Sequence, residues 1–108
     1  MTPVSSIEVQ LTNHYRNGDK FRKHVDNGSQ DCALRRISAV IYFNMFDEQR
    51  FTGGDLLLYL YYATATIKPV HNSVIFFPSH VYHEVEPIQS ETEDFMDGRF
   101  TLNAWLHG

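Results

Sequence analysis

Residues 99–107 read Arg-Phe-Thr-Leu-Asn-Ala-Trp-Leu-His, and polar and apolar side chains alternate through most of this stretch. Such alternation is typical of a β-strand, because successive side chains point to opposite faces of a sheet. One face would carry Arg99, Thr101, Asn103 and Trp105. If that face points inward, the guanidinium and the Thr101 hydroxyl form a fork that would bind a carboxylate. In the alternative interpretation this is an edge strand with Arg99 in water, and the strand alone leaves both open.

The same alternation recurs in about eight segments of the chain. These predicted strands are residues 7–11, 20–26, 35–44, 56–62, 64–68, 73–77, 83–87 and 99–107. Pro69, Pro78 and Pro87 mark strand ends, and no stretch of useful length has the 3.6-residue period of an amphipathic helix. The pattern predicts an all-β fold, a double-stranded β-helix or jelly roll of about eight antiparallel strands with little or no helix.

Composition limits the possible partners. The 108 residues correspond to one domain, and a net charge of -4 with scattered basic residues argues against nucleic acid. The adjacent pairs Arg22-Lys23 and Arg35-Arg36 are interpreted as solvated strand ends. A single cysteine, Cys32, excludes an internal disulfide. With no apolar run of about 18 residues and no signal-like start, we expect no membrane association and a cytoplasmic location.

His24 and Asp26 lie two residues apart in a predicted strand, so their side chains share one face and could hold one metal ion. A strand-end histidine beside a loop aspartate is the simpler interpretation of this pair alone. Two histidines and one carboxylate would leave open positions on an ion, so a third ligand is required. We choose His83, which opens an alternating segment, over His80, which lies in a turn. His14, His71 and His107 fall in predicted loops or at the terminus and are given no role.

Tyr42 lies in the middle of the strand predicted for residues 35–44, on the face that carries Ser38 and Val40. A buried tyrosine normally finds a partner for its hydroxyl. That partner could be a backbone carbonyl in the core or a bound ligand, and the residue alone does not decide.

Several short motifs occur in order along the chain: Tyr15-x-x-Gly18, Phe21-x-x-His24-x-Asp26-Asn27, Arg36-x-Ser38-x-Val40-x-Tyr42-Phe43-Asn44, Gly53-Gly54-Asp55-Leu56, Pro69, Val74-Ile75-Phe76-Phe77-Pro78-Ser79, His83-Glu84-Val85-x-Pro87 and Gly98-Arg99-Phe100-Thr101-Leu102-Asn103-x-Trp105. Together they resemble the 2-oxoglutarate and Fe(II)-dependent dioxygenases, specifically the prolyl 4-hydroxylase-like branch. The resemblance implies that His24, Asp26 and His83 are iron ligands and that Arg99 anchors the distal carboxylate of 2-oxoglutarate. It further implies that Thr101 and Tyr42 hydrogen-bond that carboxylate and that Tyr15 lines the site.

The resemblance also implies an activity. The expected cofactors are Fe(II), 2-oxoglutarate as cosubstrate, and ascorbate. The expected reaction hydroxylates a prolyl or similar side chain, on a peptidyl or small-molecule substrate, with release of succinate and CO2. The loops at residues 28–34 and 45–52 are expected to frame the mouth of the site. Two alternatives stay open: a zinc or cupin-like metalloenzyme with the same three ligands, and a non-catalytic jelly-roll binding module.

Only about fourteen residues precede the tyrosine motif, whereas members of the family usually carry helices and extra strands there. We therefore expect residues 1–108 to be a minimal or N-terminally truncated catalytic core. A sheet face left uncovered would be apolar, and large apolar patches usually mark interaction surfaces. This predicts a homodimer or a missing N-terminal segment.

Overall fold

A computed structural model describes residues 6–108, and the predicted all-β architecture is confirmed. Within this part of the chain, helix is limited to the 3-10 segments Gln30–Cys32 and Phe95–Asp97. The strands are β1 (Ser6–His14), β2 (Phe21–His24), β3 (Arg35–Phe43), β4 (Thr52–Gly53), β5 (Leu56–Tyr59), β6 (Thr64–Ile67), β7 (Ser73–Pro78), β8 (Tyr82–Val85), β9 (Ile88–Gln89) and β10 (Arg99–His107). Among the described residues, no helix has the length and apolar character that crossing a membrane requires.

Two antiparallel sheets of four strands each form the jelly roll. The first sheet has the order β1-β10-β3-β7, the second has the order β2-β8-β5-β6, and the short strands β4 and β9 pair separately. The sequence pattern missed β4 and β9, because two residues are too few to show alternation. It also ended the first strand at Leu11, whereas β1 continues to His14 through the polar residues Thr12 and Asn13.

The register of the first sheet decides which residues face the second sheet. Thr101 of β10 lies between Thr12 of β1 and Tyr42 of β3, and Trp105 lies opposite Ser38. Because side chains alternate, Thr12, Tyr42, Ser38 and the Arg99 face of β10 lie on the same side of the sheet, and packing of the second sheet makes this side the inside of the sandwich. Arg99 is 3% exposed and Thr101 is 2% exposed, so the edge-strand alternative is wrong.

A small apolar core joins the two sheets. Leu56 and Leu58 of β5 are buried against Phe77 of β7. Half-buried apolar residues from both sheets pack around them: Val40, Ala65, Ile67, Ile75, Val81 and Val85. This apolar cluster packs β5 of the second sheet against β7 of the first.

The outer face of the first sheet is apolar and open. Ile7, Val9 and Leu11 of β1 are each 58–60% exposed, and Phe76 and Val74 of β7 are 61% and 49% exposed. The register places apolar residues of β10 and β3 between these two edge strands. A contiguous apolar surface of this kind is unusual on a monomer.

Candidate metal centre and cavity

Three side chains with metal-binding atoms converge between the two sheets. His24 ends β2, and His83 of β8 is its register partner across the strand pair. Asp26 follows two residues after His24, and its Oδ1 lies 3.3 Å from His24 Nε2 and 3.2 Å from His83 Nε2. One ligand atom from each residue lies within 4.8 Å of the other two. His80, the rejected third candidate, is exposed in the turn before β8.

Backbone carbonyl groups fix both imidazole rings. His24 Nδ1 lies 2.6 Å from the carbonyl oxygen of Arg22, and His83 Nδ1 lies 2.9 Å from that of Val81. A carbonyl can only accept, so Nδ1 carries the proton in each neutral ring and the Nε2 lone pair points toward Asp26. Two imidazole nitrogens and a carboxylate oxygen aimed at one point repel each other without a cation. This donor set therefore fits a divalent transition metal.

The electrostatics of Asp26 keep it ionised. Burial alone would raise its pKa, but the close contacts with His24, His83 and the Ser38 hydroxyl outweigh burial and hold the pKa well below its usual range. For His24, burial lowers the pKa, and the contacts with Asp26 and the Arg22 carbonyl outweigh it, so the net shift is upward. The carboxylate is therefore ready to bind a cation, while His24 must release any proton that it holds.

The second oxygen of Asp26 has its own partners. Oδ2 accepts hydrogen bonds from Ser38 Oγ at 2.5 Å and from Trp105 Nε1 at 2.9 Å. Ser79 Oγ lies 2.9 Å from Ser38 Oγ, and the Asp26 backbone N–H donates to the Ser79 carbonyl. These partners occupy Oδ2 and leave Oδ1 for an ion.

A cavity of about 550 Å³ extends from this cluster between the sheets. Its walls include the three metal-binding residues, apolar core residues such as Leu56 and Phe77, and Arg99 with Thr101. Gly28, Ser29 and Cys32 contribute from the loop after β2. The cavity is large enough for a small organic acid together with part of a second molecule.

At the far end of the cavity, the guanidinium of Arg99 is a buried positive charge. The Nε of Arg99 donates to the Gly54 carbonyl at 2.9 Å, and its guanidinium carbon lies 5.2 Å from the centre of the Tyr42 ring. Burial lowers the pKa of Arg99, while Tyr42 and Asp55 oppose that shift. Burial raises the pKa of Tyr42, and its buried hydroxyl makes no hydrogen bond of good geometry with any residue in 6–108. A cation beside an unsatisfied hydroxyl is a natural site for an anion.

Gly54 allows Arg99 to take this position. Its φ is +75°, and a Cβ placed there would lie 2.8 Å from Arg99 Cδ. Glycine is the residue that tolerates both the positive φ and the close approach. The Gly53-Gly54 pair in the sequence therefore shapes the Arg99 end of the cavity.

Comparisons with known proteins give the family. A sequence profile described as the 2OG-Fe(II) oxygenase superfamily matches residues 9–107, nearly the whole chain. The chain belongs to this superfamily. An uncharacterized PKHD-type hydroxylase of Synechocystis is 38% identical over 95% of the chain. The crystal structure of a Pseudomonas putida prolyl-4-hydroxylase superposes on 96% of the chain with a TM-score of 0.74 and 27% identity. The predicted resemblance to a prolyl 4-hydroxylase-like oxygenase is thus confirmed.

These relatives of the 2OG-Fe(II) oxygenase domain are longer. The chain spans 37% of the Synechocystis protein and 52% of the Pseudomonas structure. A cupin superfamily protein from Desulfitobacterium hafniense superposes on the whole chain with a TM-score of 0.54 but 11% identity, which supports the jelly-roll fold alone.

The structure differs from some of the expectations about which residues line this cavity. Neither Tyr15 nor Tyr42 is among the described residues that line the cavity, and the Tyr15 ring packs edge-on against Phe95, with centroids 5.4 Å apart. Residues 28–34 do contribute to the mouth, but residues 45–52 instead help line a separate groove, with Asn17 and Ser90 among its other walls. The reason is the direction of β3, which begins near Asp26 and ends beyond Tyr42, so the loop after it lies at the opposite end.

The sequence patterns missed several residues of this site. His14 was assigned to a loop, but it ends β1 opposite Arg99 and lines the cavity. Arg35 was taken as solvated, but it is paired with Glu8 at 2.6 Å and stacks on Trp105. For Trp105, the alternation that placed it on the Arg99 face was the sequence signal that it contacts the site. Serine and glutamate are common in strands, so nothing in the sequence indicated the contacts of Ser38 and Glu8.

Proposed function

We propose that the chain is the core of an Fe(II)- and 2-oxoglutarate-dependent dioxygenase in which His24, Asp26 and His83 bind the iron. The observation that carries this proposal is the convergence of His24 Nε2, Asp26 Oδ1 and His83 Nε2 on one point at a cavity wall. When bound, Fe(II) supplies the activation of O2 that converts 2-oxoglutarate to succinate and CO2 and hydroxylates a C–H bond of the substrate. The remaining chemistry is orientation and exclusion of water, which are tasks for the protein.

Arg99 is the proposed anchor of the cosubstrate. A guanidinium binds a carboxylate through two parallel hydrogen bonds, and we propose that Tyr42, whose ring centre lies 5.2 Å from the Arg99 guanidinium carbon, adds its hydroxyl to the site. Thr101 lines the cavity between these residues and accepts a hydrogen bond from Asn103 Nδ2 at 3.2 Å, which leaves its own proton free for the ligand. A role for Tyr15 stays a prediction.

The substrate is proposed to be a prolyl or similar side chain, carried by a peptide or a small molecule. Support comes from the Pseudomonas relative, which is a prolyl-4-hydroxylase. At the mouth, the half-exposed Phe21 ring lies against His24, with centroids 4.1 Å apart, and offers an apolar surface to an aliphatic ring. Dependence on ascorbate stays a prediction, as does a cytoplasmic location.

The experiment is anaerobic titration of the protein with Fe(II) and then 2-oxoglutarate. A visible charge-transfer band should appear, because the cosubstrate coordinates the ion, and Asp26→Ala and His83→Ala should abolish it. His80→Ala is the matched control and should leave the band unchanged. Succinate release after O2 is admitted would test turnover.

The zinc or cupin-like alternative uses the same three ligands. It gives no role to the buried cation of Arg99 or to the unsatisfied hydroxyl of Tyr42. Metal content alone does not separate the two, since isolated proteins often carry the wrong ion. Hydrolytic activity with Zn(II) and no charge-transfer band would favour this alternative; an absence of any metal binding would favour the non-catalytic module.

We further propose that a second copy of the chain covers the apolar outer face of the first sheet. The exposed apolar side chains of β1 and β7 flank one continuous sheet face, and a standard interface buries about 800 Å² on each partner. Light scattering should show a dimer that Val9→Lys combined with Phe76→Lys converts to a folded monomer. A wild-type monomer at every concentration would refute this proposal. That residues 1–108 are a minimal or N-terminally truncated catalytic core also stays a prediction.

A further inference from the structure

The Asp26 carboxylate is held by contacts that its proposed role as an iron ligand does not by itself require. Rotation of a carboxylate about its terminal bond is soft, so a free Asp26 could offer either oxygen, or both, to an ion. Here Oδ2 accepts from Ser38 and Trp105 while Oδ1 faces the two imidazole rings. These two donors restrict Asp26 to one oxygen and one orientation.

The two donors differ in how firmly they are fixed. The Ser38 hydroxyl can rotate, and it lies within hydrogen-bond distance of Ser79 as well as Asp26. The indole N–H of Trp105 is only a donor, and its direction is set by the plane of the ring. Trp105 therefore decides the orientation of the carboxylate, provided that the ring itself is held.

A clamp holds the indole ring. The guanidinium carbon of Arg35 lies 4.0 Å from the ring centre, and Arg35 Nη1 donates to the Asp26 backbone carbonyl at 3.3 Å. Arg35 Nη2 donates to Glu8 Oε2 at 2.6 Å, and Glu8 Oε1 accepts from His107 Nε2 at 2.6 Å. Three strands of the first sheet, β1, β3 and β10, thus act together on one ring.

We infer that Trp105 is a positioning residue for Asp26, held by the Arg35–Glu8 pair, and that it sets how Asp26 coordinates the ion. This inference rests on the proposed iron site. Trp105→Phe is the direct test, because it removes the N–H but keeps an aromatic ring beneath Arg35. Ser38→Ala removes the other donor, and Arg35→Met loosens the ring while leaving its N–H.

Co(II) serves as the probe, since its visible absorption bands depend on coordination number and geometry. Loss of an outer partner of a metal ligand typically weakens metal binding about 10- to 100-fold. Trp105→Phe should weaken Co(II) binding by this factor and change the intensity and position of the bands. Ser38→Ala combined with Trp105→Phe should weaken it further, and Arg35→Met should have a smaller effect. Tyr82→Phe, on the outer face of the second sheet, is the control.

The outcomes separate the possible errors. Unchanged Co(II) affinity and bands in folded Trp105→Phe would overturn the inference. A weaker affinity with unchanged bands and a lower unfolding temperature would also overturn it, because Trp105 would then act through stability alone. If Trp105→Phe does not fold, changed bands in Arg35→Met support the inference and unchanged bands refute it. Failure of wild-type protein to bind Co(II) at all would instead refute the proposed iron site.

Discussion

Replacing Arg99 with methionine should separate the binding of 2-oxoglutarate from the stability of the fold. Methionine keeps most of the aliphatic length of arginine but removes the guanidinium charge. That charge is buried, and within residues 6–108 its one hydrogen bond of good geometry is to the Gly54 carbonyl. Because a buried charge that forms no ion pair is destabilising by several kcal/mol, we expect ligand-free Arg99→Met to unfold at no lower temperature than wild type.

Binding of the cosubstrate should change in the opposite direction. Removing one partner of a buried, hydrogen-bonded charge pair costs about 2 to 5 kcal/mol, which is about 30-fold to about 4,000-fold in affinity. For wild type, 2-oxoglutarate at about 100 times its dissociation constant adds about 2.7 kcal/mol of stability. In a domain of this size that raises the unfolding temperature by roughly 10 to 20 °C. The variant should show about a third of this rise if affinity falls about 30-fold, and almost none if it falls about 4,000-fold.

The assay is thermal unfolding with Mn(II) present, with and without 2-oxoglutarate, alongside the 2-oxoglutarate dependence of succinate release. Arg36→Ala, an exposed arginine on β3, is the matched control and should behave as wild type. An equal 2-oxoglutarate-dependent rise in Arg99→Met and wild type would refute the proposed anchor. A large loss of stability in the ligand-free variant would show that Arg99 is mainly structural.

Gly54→Ala should destabilise the fold and weaken 2-oxoglutarate binding, because its Cβ would meet Arg99 Cδ. Gly18→Ala, with φ +87° and open space around it, should lower the free energy of unfolding by only about 1–2 kcal/mol. Chemical denaturation and ligand titration check both variants. Leu58→Ala should lower the free energy of unfolding by about 2–5 kcal/mol. Leu57→Ala, on the opposite face of β5, should lower it less than half as much, and equal losses would contradict the assigned core. Burial and the charge of Arg99 lower the pKa of His14 below 6.5, so unfolding takes up a proton and stability should fall as pH drops below about 6.5. His14→Gln should flatten this decline in a pH series of unfolding temperatures, and an unchanged slope would exclude His14 as its source.

Alternation predicted β3 and β10 well because successive side chains of a strand point to opposite faces of the sheet and these faces differ in polarity. The bounds predicted for residues 99–107 agree with β10, and those for 35–44 differ from β3 by one residue. The same logic favoured His83 over His80 as the third member of the cluster, and the structure brings His83 to Asp26. The strand pattern thus identified the three residues of the cluster. Their close approach in space depends on the pairing of β2 with β8, which the pattern does not contain.

Other features depend on tertiary contacts that no local pattern contains. Each face of β10 could have been the inner one by composition, and the packing of the second sheet decides that Arg99 is buried. β1 extends to His14 because it pairs with β10, which overrides the weak alternation after Leu11. In the sequence, Arg35 has the pattern of a solvated strand end. In the structure it contacts Glu8 and Trp105, which are far from it in sequence.

Arg99 and Trp105 stand at the two ends of β10, one beside the proposed carboxylate anchor and the other beside Asp26. Their backbone separation is fixed by a strand rise of about 3.3 Å per residue, or about 20 Å over six residues. One inserted residue between them would turn one of the two side chains to the outside of the sandwich. A change in residue number within β10 should therefore disrupt either the proposed carboxylate anchor or the orientation of Asp26, even where the strand itself still pairs with its neighbours.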